Sequence, residues 1–402
     1  MVQLLELQNT RNSITSVKDA LNIAVSLSKE FAETVMERDA KGGVPEYEAQ
    51  LLRESGLLPL MVPKEYGGIG ATWPEAVKVV RELCKVDGSV GQLFATHLTL
   101  TIAGHTSGTP EQKERFYRET VQNNWFWANA ATILDTRLKI APEADNFRVN
   151  GVKGFGTGVA VADMRLFSAF KEGEAIPVFF MLPKDREGII SNNDWNNMGQ
   201  RRTDSGSFRF DNVFVKKDEI LGPPSCPDSA FPTIVVLFDQ LMKTQIYLGI
   251  AQGALEAAQK YTSTTTRPWI ASGVESATQD PYILRNYGEL WTQLQAAISL
   301  AEKAVEGVQA AWEKDVKLTH QERGEAAILV FAAKAFATKV GLDITTRIFE
   351  VMGARATAKK YGFDRYWREM RTLTLHDPVD YKLREVGNWA LNHQLPTVTA
   401  YS

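Results

Sequence analysis

Phe147-Arg148-Val149-Asn150-Gly151 alternates apolar and polar side chains, the period-two signature of a half-buried strand. It ends in Asn-Gly, the dipeptide best suited to a tight hairpin. Phe208-Arg209-Phe210 alternates in the same way, and Ile176 to Leu182 is a short apolar run between Gly173 and Pro183. Several short strands with turn signals between them predict a small β-barrel or sandwich from about Ala128 to Gly222.

On both sides of this zone the period changes to that of a helix. Val17, Leu21, Ala24, Leu27 and Phe31 recur at three- and four-residue steps, and the helical pattern runs on to about Trp125. After Pro232 it returns. Leu290, Leu294, Ile298, Ala301, Val305, Val308 and Trp312 form one apolar stripe along a long helix. Thr319-His320-Gln321-Glu322 is a capping box that starts the next helix. That helix, Glu322 to about Met352, is apolar nearly all round, so it must be buried in a bundle or against another subunit. The expected fold is mainly α with a central β-domain: an N-terminal helical domain (1–127), a β-barrel domain (128–230), and a C-terminal four-helix bundle with a tail (231–402).

Composition narrows the function classes. The chain has 402 residues, 44% of them hydrophobic, enough for a large core or two to three packed subdomains. Its net charge is −3 and no basic run stands out, which speaks against a nucleic-acid partner. Cys84 and Cys226 lie far apart, so neither a disulfide framework nor a zinc site is expected. Met1 to Ser13 lacks the basic and apolar regions of a secretory leader, and no apolar run approaches the ~18 residues of a membrane span. The expectation is a cytoplasmic protein with no membrane partner.

Candidate chemistry comes from a few motifs. Gly67-Gly68-Ile69-Gly70 does not follow a strand in a βαβ unit, so it reads as a connecting turn rather than a dinucleotide loop. The five histidines, His97, His105, His320, His376 and His393, show no metal-ligand spacing, and no metal is expected. His376 stands beside a carboxylate in Leu375-His376-Asp377-Pro378, at a helix end, where it suits a proton donor. Arg365, Arg368 and Arg371 share one helix face, either as a solvated, ion-paired surface or as an anchor for an anion. Arg267, before Pro268-Trp269, and Arg355, after Gly353-Ala354, have the rigid or small neighbours that a phosphate clamp needs. Trp125, Trp127 and Trp195 are core residues or the lining of a flat, apolar ligand.

Taken in order, several of these stretches resemble the acyl-CoA dehydrogenases. Leu57-Leu58-Pro59-Leu60-Met61-Val62-Pro63 with Tyr66-Gly67-Gly68-Ile69-Gly70 resembles that family's N-terminal signature. Gly151-Val152-Lys153-Gly154-Phe155-Gly156-Thr157-Gly158 is similar to its flavin strand, where a threonine contacts the ring. Met198-Gly199-Gln200-Arg201, Asp211-Asn212-Val213-Phe214-Val215 and Ile220-Leu221-Gly222 resemble its β-domain exit. The region after Arg371 lacks the glutamate and glycine of the Y-E-G-T motif with which many dehydrogenases remove the α-proton. A closer resemblance is to the flavin monooxygenase branch typified by dibenzothiophene monooxygenase. It rests on Asn123-Asn124-Trp125, Asn129, Asp194-Trp195, Thr203-Asp204-Ser205-Gly206-Ser207, Tyr247-Leu248-Gly249-Ile250-Ala251, Arg267-Pro268-Trp269, Asp280-Pro281-Tyr282, Gly353-Ala354-Arg355, Tyr361-Gly362-Phe363-Asp364-Arg365 and Leu375-His376-Asp377-Pro378. It spans about Glu37 to Ser402.

That resemblance implies a two-component monooxygenase that takes reduced FMN, rather than FAD, from a separate NAD(P)H-dependent reductase. It implies insertion of one atom of O2 into an organosulfur or other electron-rich small molecule through a C4a-hydroperoxyflavin. Asn129, Phe155, Thr157, Trp195 and Ser205 would line the ring. Arg267 and Arg355 would hold the phosphate, across a subunit boundary of a homotetramer. His376 and His97 would sit near the point of oxygen addition, with Thr157 and Asn129 beside them. The apolar shelter would come from Phe155, Trp195 and Leu373, and the tail from Asn392 to Ser402 would dock into a neighbour. Three positions depart from the sulfur-heterocycle pattern: Thr96 for a tyrosine, Thr157 for a serine, and Leu373 for a second histidine. Acyl-CoA dehydrogenation or flavin oxidation without oxygen insertion, and a non-catalytic scaffold, are the competing readings.

Overall fold

The computed structural model describes residues 14, 16–224, 226 and 228–402. The leader reading made on Met1 to Ser13 lies outside the described residues. The first helix, α1 (Val17–Lys41), opens on the Ser16–Asp19 capping box and buries Ala24, Leu27 and Phe31 of the predicted stripe, with Ala20 beside them, while Val17 and Leu21 are half-buried. Four more helices of the first zone follow the same logic: α2 (Glu46–Glu54), α3 (Trp73–Cys84), α4 (Gly88–Thr101) and, after the short α5 (Ala103–Ser107), α6 (Pro110–Asn123). Capping boxes at Thr72–Glu75 and Thr109–Gln112 start α3 and α6. The Asp87 side chain caps α4 by accepting from the backbone N–H of Ser89 and Val90.

Seven strands come next: β1 (Trp127–Ala130), β2 (Lys139–Glu143), β3 (Asn146–Lys153), β4 (Met164–Phe170), β5 (Pro177–Pro183), β6 (Ile189–Ser191) and β7 (Phe208–Val215). They form one sheet in the order β1-β4-β2-β3-β7-β6, with β5 also paired to β4. Asn150-Gly151, expected at a hairpin, instead lies inside β3. The β3–β7 register shifts between Val149 and Gly151, and Gly151 has a φ of 123°. A Cβ there would come within 2.2 Å of the Arg137 carbonyl oxygen, so glycine serves a bulge rather than a turn. The reversal from β2 to β3 falls between the paired Glu143 and Asn146, with Ala144 at a φ of 51°.

The C-terminal zone holds α7 (Ile234–Thr264), α8 (Pro281–Glu313) and α9 (His320–Met352), followed by α10 (Asp364–Leu373) and α11 (Val379–Asn392). The stripe Leu290, Leu294, Ala301, Val305 and Val308 is buried on α8, with Ile298 and Trp312 packed against the same core. Thr319 and Glu322 cap α9, which buries residues on all its faces. Phe231–Thr264, which contains α7, is apolar and long enough to cross a membrane by composition, yet 83% of its most apolar window is buried inside the protein. Trp73 ties α3 to this bundle, its ring stacked 3.8 Å from that of Phe238. Arg365 and Arg368 turn out to be ion-paired rather than open to an anion. Arg365 meets Glu369 at 3.3 Å, and Arg368 meets both Asp39 and Asp364.

Candidate active site

The loop after β3 begins the site. Phe155 has a φ of +56° and keeps 67% of its surface exposed, an unusual state for a large apolar residue. The next residues dock on the segment before β7: the Gly156 N–H donates to the Gly206 carbonyl and the Gly158 N–H to that of Thr203, both at 2.9 Å. A Cβ on Gly156 would lie 2.3 Å from the Phe208 ring, so only glycine permits this contact. Gln200 (φ 53°) and Asp204 (φ 44°) on the facing segment are also left-handed. Three strained non-glycine residues thus meet in one small region, as strain commonly does where a ligand is held.

A chain of hydroxyls runs between the two segments. Thr157 Oγ1 lies 2.8 Å from Ser205 Oγ, which lies 2.8 Å from Thr203 Oγ1, and Thr203 donates to the Gln200 carbonyl. The Trp195 indole N–H donates to that same carbonyl at 2.8 Å, which pins its half-buried ring beside the chain. A Cβ on Gly158 would lie 3.6 Å from that of Ala128, so β1 passes directly beneath. Asn129, next along β1, is half-buried, and its side-chain amide has no hydrogen-bond partner among the described residues. Thr157, Ser205 and Trp195 are thus joined through Thr203 and the Gln200 carbonyl, with Asn129 on the neighbouring strand and the exposed Phe155 two residues before Thr157. Burial and the nearby charge of Asp194 push the Asp204 carboxyl up to about 6.

Behind this wall stands a buried charge cluster that motif reading did not find. Arg202 donates to both carboxylate oxygens of Glu48 at 2.7 Å, Arg38 donates to Glu48 at 2.8 Å, and Arg38 also meets Asp87 at 2.6 Å. Arg202 immediately precedes Thr203, so the cluster fixes the hydroxyl segment to α1, α2 and α4.

His376 follows α10, its side chain about one-third exposed. Its Nδ1 lies 3.0 Å from Asp377 Oδ1. Asp377 in turn receives Lys334 of α9 at 2.5 Å, and Lys334 also donates to Gln240 of α7. Burial and the positive charge of Lys243 hold the imidazole below its ordinary pKa, against the opposing pull of Asp377 and Asp239. The neutral ring with Nδ1–H donated to Asp377 leaves Nε2 as the open nitrogen. The chain's last residues pack here. The Tyr401 ring lies 6.0 Å from that of His376, its hydroxyl 3.3 Å from Thr132 Oγ1, and Arg323 donates to the Ser402 carbonyl at 2.7 Å.

His97 is placed differently from expectation. It is fully buried, its Nδ1 accepts from the Trp127 N–H, and its Nε2 donates to the Leu58 carbonyl. Burial lowers its pKa to about 4. Both nitrogens are engaged, so the ring has no free site for proton transfer and serves to join α4 to β1. Leu373 is also core rather than open lining; it is 4% exposed and its carbonyl accepts from the Tyr247 hydroxyl.

Arg267 and Arg355 are exposed and meet no carboxylate among the described residues. Their loops are tied together, because Thr266 donates to the Met352 carbonyl at 3.1 Å. They stand far from His376, however. Lys334, which supports Asp377, and Met352 are 18 residues apart on α9, about 27 Å at the ordinary helical rise. One protomer's arginine pair and its own His376 lie toward opposite ends of the bundle.

Residues 22–124 match the family model for the acyl-CoA dehydrogenase N-terminal domain, and residues 241–381 match that for the acyl-CoA dehydrogenase C-terminal domain. The chain belongs to the acyl-CoA dehydrogenase family. Within the family it is 46% identical to a dibenzothiophene monooxygenase of Mycolicibacterium goodii, over 97% of this chain and 96% of that protein. It is 42% identical to the probable FMNH2-dependent monooxygenase SfnC of Pseudomonas putida, over 96% of this chain and 98% of that one. The solved structure of the methanesulfinate monooxygenase MsuC of Pseudomonas fluorescens superposes with a TM-score of 0.93, at 43% identity, covering 95% of this chain and 99% of that one. The fold expectation of helices, a central sheet and a helical bundle is met throughout, and the resemblance to the monooxygenase branch holds.

Proposed function

We propose that this protein is a two-component monooxygenase that uses reduced FMN to place one oxygen atom of O2 on a small organosulfur compound. The observation that carries the reading is the Thr157–Ser205–Trp195 wall, to which the carboxylate-oriented His376 adds an acid–base group. The relatives named above supply the branch and the cofactor. The wall fits a flavin: a flat, largely apolar ring with a polar edge suits Trp195, the exposed Phe155, the hydroxyl of Thr157 and the unpartnered amide of Asn129. Arg267 and Arg355 would hold the phosphate. When bound, the reduced cofactor supplies the two electrons that activate O2; one oxygen goes to the substrate and the other leaves as water. His376 Nε2 takes up a proton and returns it to the departing oxygen, while Phe155 and Trp195 exclude water. No nicotinamide loop was found in the sequence, so reduced FMN comes from a separate NAD(P)H-dependent reductase in the cytoplasm.

The separation of the arginines from His376 supports a phosphate clamp donated to a neighbouring protomer, and so an oligomer, for which we favour a homotetramer. Exposed Trp269, Ile270, Tyr282 and Trp291, lying near or on α8, supply apolar surface for such contacts. A groove of about 630 Å³ lined by Leu255, Tyr287, Trp291 and Leu294 adjoins them. Arg267→Ala is expected to weaken FMN binding by about 1.5–3 kcal/mol, the worth of a charge-assisted bond, measured by equilibrium titration. An unchanged dissociation constant would remove Arg267 from the clamp.

The titration of His376 gives a second expectation. The neutral ring is the form ready to accept a proton, so oxygenation falls on the acid side with an apparent pKa below the ordinary ~6.5. Lys243→Met removes a positive charge facing the ring and leaves Asp239, Asp377 and Lys334, so it shifts that acid limb upward. A pH–rate profile that does not move would detach the limb from His376.

The relatives act on substrates as different as a tricyclic thiophene and a one-carbon sulfinate at similar identity, so the substrate is chosen by the pocket rather than the fold. Incubation with a reductase, FMN and NADH, scoring sulfides, thiophenes, indoles and amines for added oxygen by mass, tests the reading. Flavin bleaching by acyl-CoAs with no oxygenated product would favour dehydrogenation instead.

A further inference from the structure

The hydroxyl chain at the wall has a direction, and proton counting fixes it. Thr203, Ser205 and Thr157 each carry one hydroxyl proton. Thr203 donates its proton to the Gln200 carbonyl at 2.8 Å, which can only accept. The 2.8 Å contact between Thr203 and Ser205 must then use the Ser205 proton. The 2.8 Å contact between Ser205 and Thr157 must in turn use the Thr157 proton. All three protons point inward, toward Gln200. Thr157, at the outer end, is left with lone pairs and no proton to offer. Gln200 is held in place as the sink: its backbone is left-handed, it is 1% exposed, and it also receives the Trp195 indole N–H.

We propose that this polarised chain selects reduced over oxidised flavin. The inference rests on the flavin reading of the wall and adds to it. The central ring of a reduced flavin carries an N–H where the oxidised ring has a bare nitrogen. An edge that can only accept pairs with the former and leaves the latter facing lone pairs. Reversing the chain so that Thr157 donates would take the proton of Thr203 away from Gln200, and so is opposed by the anchor. A protein that receives its flavin from a reductase gains from such a filter, because spent, oxidised flavin is released and fresh, reduced flavin is retained.

The test compares dissociation constants for FMN and for anaerobically reduced FMN. In the native protein the reduced form should bind more tightly. Ser205→Ala cuts the chain, frees Thr157 to turn its proton outward, and should lower the ratio of the two constants roughly three- to tenfold, the worth of one ordinary hydrogen bond. Thr203→Val should do the same from further inside, which guards against a purely local effect of one variant. The midpoint potential of bound FMN should fall by about 15–30 mV in both variants, since a tenfold change is about 30 mV for two electrons. Native protein that binds neither form would overturn the flavin site itself. Binding of both forms with equal constants, or a ratio unmoved in both variants, would overturn the polarity while leaving the site intact.

Discussion

His376→Ala should lower oxygenation by about 10²–10⁴-fold near neutral pH, the contribution of one well-placed acid–base group. Flavin binding should change little, because the side chain belongs to the helical side of the site and not to the ring wall. The magnitude follows from how the ring is held. Asp377 accepts from Nδ1, which fixes the tautomer and aims Nε2 outward, and Lys334 and Gln240 hold Asp377 from behind. A free histidine on a tail would have no such orientation and would contribute far less. The substitution is readable because the side chain is about one-third exposed, so the core survives its loss. Single-turnover measurement with preformed reduced enzyme separates chemistry from flavin delivery. A variant that oxygenates at the native rate would take His376 out of the reaction.

Glu48→Ala should cost about 3–5 kcal/mol of stability, the usual result of removing one partner from a buried charge cluster. Glu48 is fully buried and joins Arg38 and Arg202. Arg38 keeps Asp87 after the change, whereas Arg202 loses both of its carboxylate contacts and keeps only the Gly42 carbonyl. The consequence falls on the segment that follows: Thr203 and Ser205 lose one of their ties to the N-terminal helices, while Arg201 still donates to the Asp39 carbonyl and the Arg202 N–H to Ser89. Weaker FMN binding should therefore accompany the fall in chemical-denaturation stability. Native stability in the variant would mean that the cluster contributes nothing net.

Patterning alone was enough for much of this. The stripe from Leu290 to Trp312, the Thr319–Glu322 capping box and the period-two stretches at Phe147 and Phe208 all form the elements they predict, because each is a local preference satisfied within a few residues. Asn150-Gly151 misled for the same reason. The dipeptide states that a left-handed backbone is cheap there, and only the Arg137 carbonyl pressing against Gly151 decides that it is spent on a bulge.

The site divides along the same line. Asn129, Thr157, Trp195, Ser205 and His376 stand out in the sequence because their short motifs carry the family pattern. His97 was assigned wrongly from the same kind of cue, since nothing near it in sequence says that Leu58 and Trp127 occupy both nitrogens. Glu48 is paired with a residue 154 positions away, and Lys334 meets Asp377 across 43. Local pattern is enough for the order of helices and strands, the family and the chemistry available at each motif. Packing settles that His97 is tied at both nitrogens, which arginines are neutralised and which way the hydroxyl protons point, because hydrogen-bond partners and burial arise between segments that no local pattern records.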